Sequence, residues 1–211
     1  MKKLALVLFA TFIMQYINAQ RTTEIGFTGG AIRFYPDLEE KFSTSKNDAM
    51  DNGWGFSAGV FLEDHWKPRI HQIVELNYIN LNSDVFLEYN PVGSGGYGGA
   101  NSQNSWKNFG NVSFNYIAIS GGTKLFLNKK LFVYPGIEWA RILTNEVDLN
   151  KSTYHLKLAA GFNSREFDVI LEYNYGLKYQ RRVYSLSPPL LGTHTNNFLQ
   201  LKVQIPFYSL R

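Results

Sequence analysis

The run Leu199-Gln200-Leu201-Lys202-Val203-Gln204-Ile205-Pro206-Phe207 decides how the chain is read. Leu199, Leu201, Val203, Ile205 and Phe207 alternate with Gln200, Lys202 and Gln204. Side chains on a strand point to opposite faces with a period of two, so this stretch forms a sheet with one apolar and one polar side. A single strand of this kind suits a soluble sheet as well as a membrane one. Recurrence of the pattern along the chain, behind an export signal, separates the two.

Lys2 and Lys3 precede an apolar run over residues 4–14, and a short tail ends at Ala19. That is the layout of a secretory signal peptide. We therefore expect residues 1–19 to be cleaved and residues 20–211 to form one domain. The run is shorter than the ~20 apolar residues of a spanning helix. No other stretch approaches that length, so a membrane protein of this sequence must cross as a barrel. The chain has no cysteine, which excludes disulfides, thiolate metal sites and lipoprotein processing. Its net charge is +4, part of which leaves with Lys2 and Lys3. No basic run or aromatic-basic motif points to nucleic acid.

The alternation predicts eight strands, at residues 23–35, 53–63, 69–79, 112–127, 131–143, 154–162, 167–178 and 195–208. The first places Ile25, Phe27, Gly29 and Ala31 on one face, with Arg33 on the polar side, and Pro36 ends it. The second sets Trp54, Phe56, Ala58, Val60 and Leu62 against Gly55, Ser57, Gly59, Phe61 and Glu63. The fourth sets Ile117, Ile119, Thr123 and Leu125 against Ala118, Ser120, Gly122 and Lys124. The connections alternate long and short. Residues 36–51, 80–111, 144–152 and 180–194 are long, whereas 64–68, 128–130 and 163–166 are short. Short turns at one end and long loops at the other, with an even strand number, define an all-β fold: an eight-stranded antiparallel up-and-down transmembrane β-barrel. The Gly-rich stretch within residues 80–111 lacks a following lysine and a strand-to-helix setting, so it is not a phosphate cradle.

A soluble ligand-binding barrel turns its apolar face inward, whereas a membrane barrel turns it toward lipid. Here the polar faces carry Glu63, Glu75, Lys124, Glu138, Lys157, Asp168, Glu172, Lys178 and Lys202, together with most of the small residues. Small and paired charged side chains fill the narrow interior of an eight-stranded barrel. Aromatics gather at the strand ends. Trp54, Tyr78, Tyr116, Trp139, Tyr154 and Tyr175 lie toward the long loops, and Phe126, Phe162, Phe167 and Phe207 toward the short turns. Two such bands suit the two membrane interfaces. We therefore expect the apolar faces to meet lipid.

The segments Tyr116-Ile117-Ala118-Ile119-Ser120-Gly121-Gly122-Thr123-Lys124-Leu125-Phe126, Lys130-Leu131-Phe132-Val133-Tyr134-Pro135-Gly136 and Glu172-Tyr173-Asn174-Tyr175-Gly176-Leu177 resemble the outer-membrane β-barrel domain family. That family includes PorT-like and other small "porin family" proteins. At Ala118 and Ser120 the chain carries small residues where the family often has a carboxylate and a proline. The resemblance implies an outer-membrane location and an eight-stranded barrel, without implying one activity. PorT-like members belong to a protein-secretion and gliding apparatus.

No catalytic constellation stands out. Barrel enzymes that modify lipid need a histidine near a serine, with a carboxylate to orient the ring. His65 falls in a predicted short turn and His194 near a loop. His71 and His155 fall inside, near opposite ends. None sits in a His-x-Ser motif, and no histidines cluster, so we expect neither catalysis nor a metal, and no cofactor. Glu75, Lys124, Glu138, Lys157, Asp168, Glu172 and Lys202 are expected to pair inside the barrel as a structural network rather than line a pore. The expected role is structural or in interactions, within an envelope or secretion assembly, with a narrow pore or solute transporter as the alternative and a lipid-modifying enzyme third. Expected partners are outer-membrane lipid, and proteins met through loops 36–51 and 80–111.

Overall fold

The computed structural model describes residues 22–38, 49–50, 52–89, 105–143, 152–164, 166–177, 180–184 and 190–210. The expected signal over residues 1–19 lies outside the described residues. So do most of the 36–51 loop, the glycine-rich part of the 80–111 loop, and Lys178.

The strands are β1 (Thr23–Leu38), β2 (Ala49–Met50), β3 (Gly53–Lys67), β4 (Ile70–Tyr89), β5 (Ser105–Phe126), β6 (Leu131–Ile142), β7 (Ser152–Asn163), β8 (Asp168–Gly176), β9 (Gln180–Tyr184) and β10 (Leu190–Leu210). Eight of them run β1-β3-β4-β5-β6-β7-β8-β10 around the sheet, each antiparallel to its neighbour. Pairing of β1 with β10, from Thr23↔Leu210 to Leu38↔His194, closes the ring. The small strands β2 and β9 extend β4 and β10 at the long-loop end. Closure gives each of the eight barrel strands two partners, which is what a sheet needs where no water can satisfy its edges.

The faces are inverted relative to a soluble barrel. Phe27, Phe56, Leu76, Ile119, Ile137, Leu158, Leu171, Leu201 and Ile205 are exposed on the outside. Glu63, Glu75, Lys124, Glu138, Lys157, Asp168, Glu172 and Lys202 are buried. Lysine and glutamate are almost never fully buried unless paired, and exposed apolar area on this scale needs an apolar solvent. From Leu199 to Phe207, β10 has the length of a strand that crosses a bilayer, about nine residues. This is the architecture of a transmembrane β-barrel.

Why the inner face is rich in glycine follows from the rings that lean on it. A Cβ added at Gly26 would lie 2.3 Å from the Phe61 ring. At Gly122 it would lie 2.3 Å from the Tyr134 ring, and at Gly161 2.3 Å from Phe132. Large inward aromatics thus occupy space that the glycines leave, as packing in so narrow a barrel requires.

Several sequence expectations are corrected. β4 and β5 do not stop at residues 79 and 112. They continue to Tyr89↔Ser105, so much of the expected 80–111 loop is strand. Likewise β1 passes through Pro36, which pairs with Asn196. The reason is a phase change. Beyond Tyr78 the inward positions become apolar (Ile79, Leu81) and the outward ones polar (Asn80, Asn82, Asp84). The barrel wall there is that of a protein in water. The amide groups of the Asn80 and Asn82 side chains knit this outer surface, with Asn80 Nδ2 donating to Asn115 Oδ1 at 2.7 Å and to Ser113 Oγ at 3.1 Å. Tyr78 Oη also donates to Asn115 Oδ1, at 2.7 Å.

Three expected residues are moved, Tyr116 and Arg33 at this boundary and Phe126 at the opposite end, where it continues the inward face of Lys124. Tyr116 belongs to the buried interior rather than to the outer aromatic band, and its hydroxyl accepts a hydrogen bond from Asn196 Nδ2 at 2.5 Å. Phe126 packs against the inner cluster, with its ring centroid 5.3 Å from that of Phe132. Arg33 faces outward, its guanidinium 4.7 Å from the Trp54 ring centroid. Trp54, Tyr78, Tyr154, Tyr175, Phe162, Phe167 and Phe207 are exposed on the outer face as expected.

Candidate functional site

The lumen is stacked in layers. Inward residues of β4, read from the long-loop end, are Leu81 and Ile79, then Asn77 and Glu75, then Ile73, then His71. Each sits in a layer of matching character. An upper apolar layer contains Ile32, Phe34, Ile79, Leu81, Phe114, Tyr116 and Phe198. A lower one contains Phe61, Ile73, Phe132, Tyr134, Ala159 and Ile170. An ionic layer lies between them, and a second polar cluster lies at the short-turn mouth.

Glu75 is the hub of the middle layer. Its Oε1 accepts from Lys202 Nζ at 2.7 Å and Gln204 Nε2 at 2.5 Å. Its Oε2 accepts from Lys157 Nζ at 2.9 Å and Ser120 Oγ at 2.8 Å. Lys157 also lies 3.1 Å from Glu172 and 3.6 Å from Glu138, and Lys202 lies 2.6 Å from Glu172. Glu138 meets His155 Nδ1 at 3.1 Å. The middle layer thus holds three carboxylates, two ammonium groups and one imidazole from five strands. Ions desolvated this deeply need each other.

Lys124 belongs elsewhere. Its ammonium bonds Glu63 Oε2, and Asp168 Oδ2 at 2.6 Å, below the lower apolar layer. The seven residues singled out from sequence therefore fall into two clusters. Glu75, Glu138, Lys157, Glu172 and Lys202 meet in one, and Lys124 and Asp168 in the other. Glu63, which completes the second cluster, stands on the same alternating face of β3 as Gly55, Ser57 and Gly59.

The histidines depart from expectation. His65 and His71 are neighbours, their rings stacked with centroids 4.0 Å apart. His71 Nδ1 lies 2.7 Å from Glu63 Oε1. The signal was present in the sequence: the two residues flank the turn at 68–69, so the β3–β4 hairpin brings them opposite each other. With Glu63 they form a group whose ligand atoms all lie within 4.8 Å of one another. They line a cavity of about 490 Å³ at the short-turn mouth, together with Glu24, Phe61, Arg69 and Asp168. His155 stacks edge-on against Phe198. Ser120, the serine of the ionic layer, bonds Glu75 and Lys157 rather than an imidazole, so the layer does not present a serine–histidine pair.

No protein-family model and no curated protein matches the chain. Among solved structures it is similar to Ail, the attachment invasion locus protein of Yersinia pestis, crystallised with the heparin analogue sucrose octasulfate, at 11% identity and a TM-score of 0.44, over 88% of this chain and 99% of that one. It is similar to the outer membrane protein OprG of Pseudomonas aeruginosa at 8% identity and a TM-score of 0.43, over 89% and 95%. Neisserial surface protein A matches at 8% identity and a TM-score of 0.34, over 88% and 99%. The barrel assignment rests on the strand register and the inverted faces, not on these likenesses.

Proposed function

We propose that this protein is a small outer-membrane β-barrel whose work is done at its surfaces, as a structural or interaction component of an envelope or secretion assembly, rather than through its lumen. The observation that carries this reading is the filled interior. Tyr134, Phe34, Phe114, Phe132, Phe198, Lys124 and Lys202 are all fully buried there. Among the described residues, two apolar layers and an ion-paired layer between them fill the lumen with buried side chains, and an eight-stranded barrel is just wide enough to be filled in this way. Function on a rigid barrel then falls to its loops. The segments that leave these strands, residues 39–48 and 90–104, are the proposed contact surfaces, carried on the long β1–β10 and β4–β5 ladders.

The signal layout at residues 1–19 supports export, and the apolar outer face supports residence in the outer membrane. Loops are then outside, and short turns and termini face the periplasm. Resemblance to PorT-like barrels supports the assembly-subunit form of the reading. The test is ion conductance of the purified barrel in planar bilayers, paired with capture of partners from mild-detergent membranes. The reading expects no unitary current and a stoichiometric partner. Reproducible conductance steps would favour the narrow pore instead.

A further inference from the structure

The hydrogen bonding of the short-turn mouth is explained for His71 and not for His65. His71 Nδ1 has Glu63 Oε1 at 2.7 Å. His65 Nε2 is buried without a hydrogen-bond partner. The carboxylate oxygens nearest to it are Glu24 Oε2 at 3.6 Å and Glu63 Oε1 at 3.8 Å. An imidazole nitrogen turned toward two carboxylates, beyond hydrogen-bond range of both, leaves the space that an ion would occupy.

The distances suit that ion. Ligand atoms around tetrahedral Zn²⁺, each at about 2.0–2.2 Å, stand roughly 3.3 Å from one another. Separations of 2.7, 3.6 and 3.8 Å bracket that value, and the three ligand atoms of Glu63, His65 and His71 lie within 4.8 Å of each other. Two imidazoles with carboxylates suit zinc, copper or nickel, whereas calcium and magnesium prefer all-oxygen sets. Charge permits it too. Glu24, Glu63 and Asp168 face the cavity, and against them stand Lys124, Arg69 and Lys129. The Lys124 ammonium is bound to Asp168 and to the other oxygen of Glu63, Oε2. Glu63 Oε1 stays turned toward the histidines, held by the Oε2–Lys124 pair. Such a second partner orients a metal-ligating carboxylate.

We propose that Glu63, His65 and His71 bind a divalent transition-metal ion at the short-turn mouth, with Glu24 as a fourth ligand. The site draws on three adjacent strands: β1 through Glu24, β3 through Glu63 and His65, and β4 through His71. A bound ion would therefore fasten the rim next to the β1–β10 seam. Hydrogen bonding alone is the competing account, and it predicts no metal affinity.

The test uses untagged, refolded and chelator-stripped barrel in detergent micelles, with folding judged by heat-modifiable gel migration. Zn²⁺ is titrated against a chromophoric chelator. The proposal expects one ion per chain at roughly micromolar Kd or tighter. It expects His65→Gln and His71→Gln each to weaken binding about tenfold or more, with His194→Gln unchanged. Zn²⁺ should also raise the unfolding midpoint of the wild type and not that of His65→Gln. If His71→Gln fails to fold, the more exposed His65 carries the test. No saturable binding below about 1 mM, or wild-type affinity in folded His65→Gln, overturns the proposal.

Discussion

Replacing Lys157 by methionine tests the ionic layer most severely. The ammonium of Lys157 is fully buried. It lies 2.9 Å from Glu75, 3.0 Å from Ser120, 3.1 Å from Glu172 and 3.6 Å from Glu138. Methionine keeps most of the stem volume, so cavity formation contributes little and the charge term dominates. Without Lys157, Glu75 and Glu172 share Lys202, at 2.7 and 2.6 Å. Glu138 is left with His155. Three carboxylates then face one ammonium. Breaking a buried pair from one side costs about 3–5 kcal/mol, and the number of carboxylates stranded here argues for the upper part of that range. Urea unfolding of the refolded barrel, with tryptophan emission and gel migration as probes, measures the loss. Adding Glu172→Gln to Lys157→Met should restore roughly 1–3 kcal/mol, because it removes one uncompensated charge. A loss below about 1 kcal/mol, the worth of an exposed surface pair, would refute a desolvated, mutually dependent cluster.

Other consequences follow from packing and closure. Gly161→Val places a Cβ 2.3 Å from the Phe132 ring; it should cost about 1–3 kcal/mol by overpacking, and Phe132→Ala in the same chain should recover part of it. The chain has no native cysteine, so Ala31→Cys with Leu201→Cys, opposite each other across the closing seam, should be joined efficiently by a short bifunctional thiol reagent. Ala31→Cys with Ile205→Cys, four residues out of register, should not be.

How much of this is legible in the sequence depends on where the lipid ends. Along the middle of β10 the alternation is strict, since one face meets lipid and the other a polar lumen, and along β8 Ile170 is the one inward apolar exception. Past Tyr78 the solvent outside changes. Ile79 and Leu81 turn inward and Asn80 and Asn82 outward, so the period persists while its phase flips. A reader who expects one phase sees a loop. Tyr116 was misplaced for the same reason, and Arg33 because its outward position beside Trp54 lies at the same boundary.

Periodicity placed the inward charges on one face but could not say which would meet. Lys124 and Lys157 are both inward residues, yet they lie in different layers because their heights along the barrel axis differ. That height depends on strand stagger, which appears only once the register around the ring is known. The His65–His71 contact was within reach of sequence reasoning, since both flank a single tight turn. Its connection to Glu24 requires knowing that β1 lies beside β3.

The central claim is that this barrel is turned inside out, with apolar residues in lipid and charges within. Nitroxide labels placed one at a time from Leu199 to Phe207, with the protein in lipid bilayers, test it most directly through collisions with dissolved oxygen and with a water-soluble paramagnetic reagent. The account predicts high oxygen accessibility at 199, 201, 203, 205 and 207, and low accessibility to both reagents at 200, 202 and 204. Odd positions shielded from oxygen, with even positions open to the aqueous reagent, would contradict it.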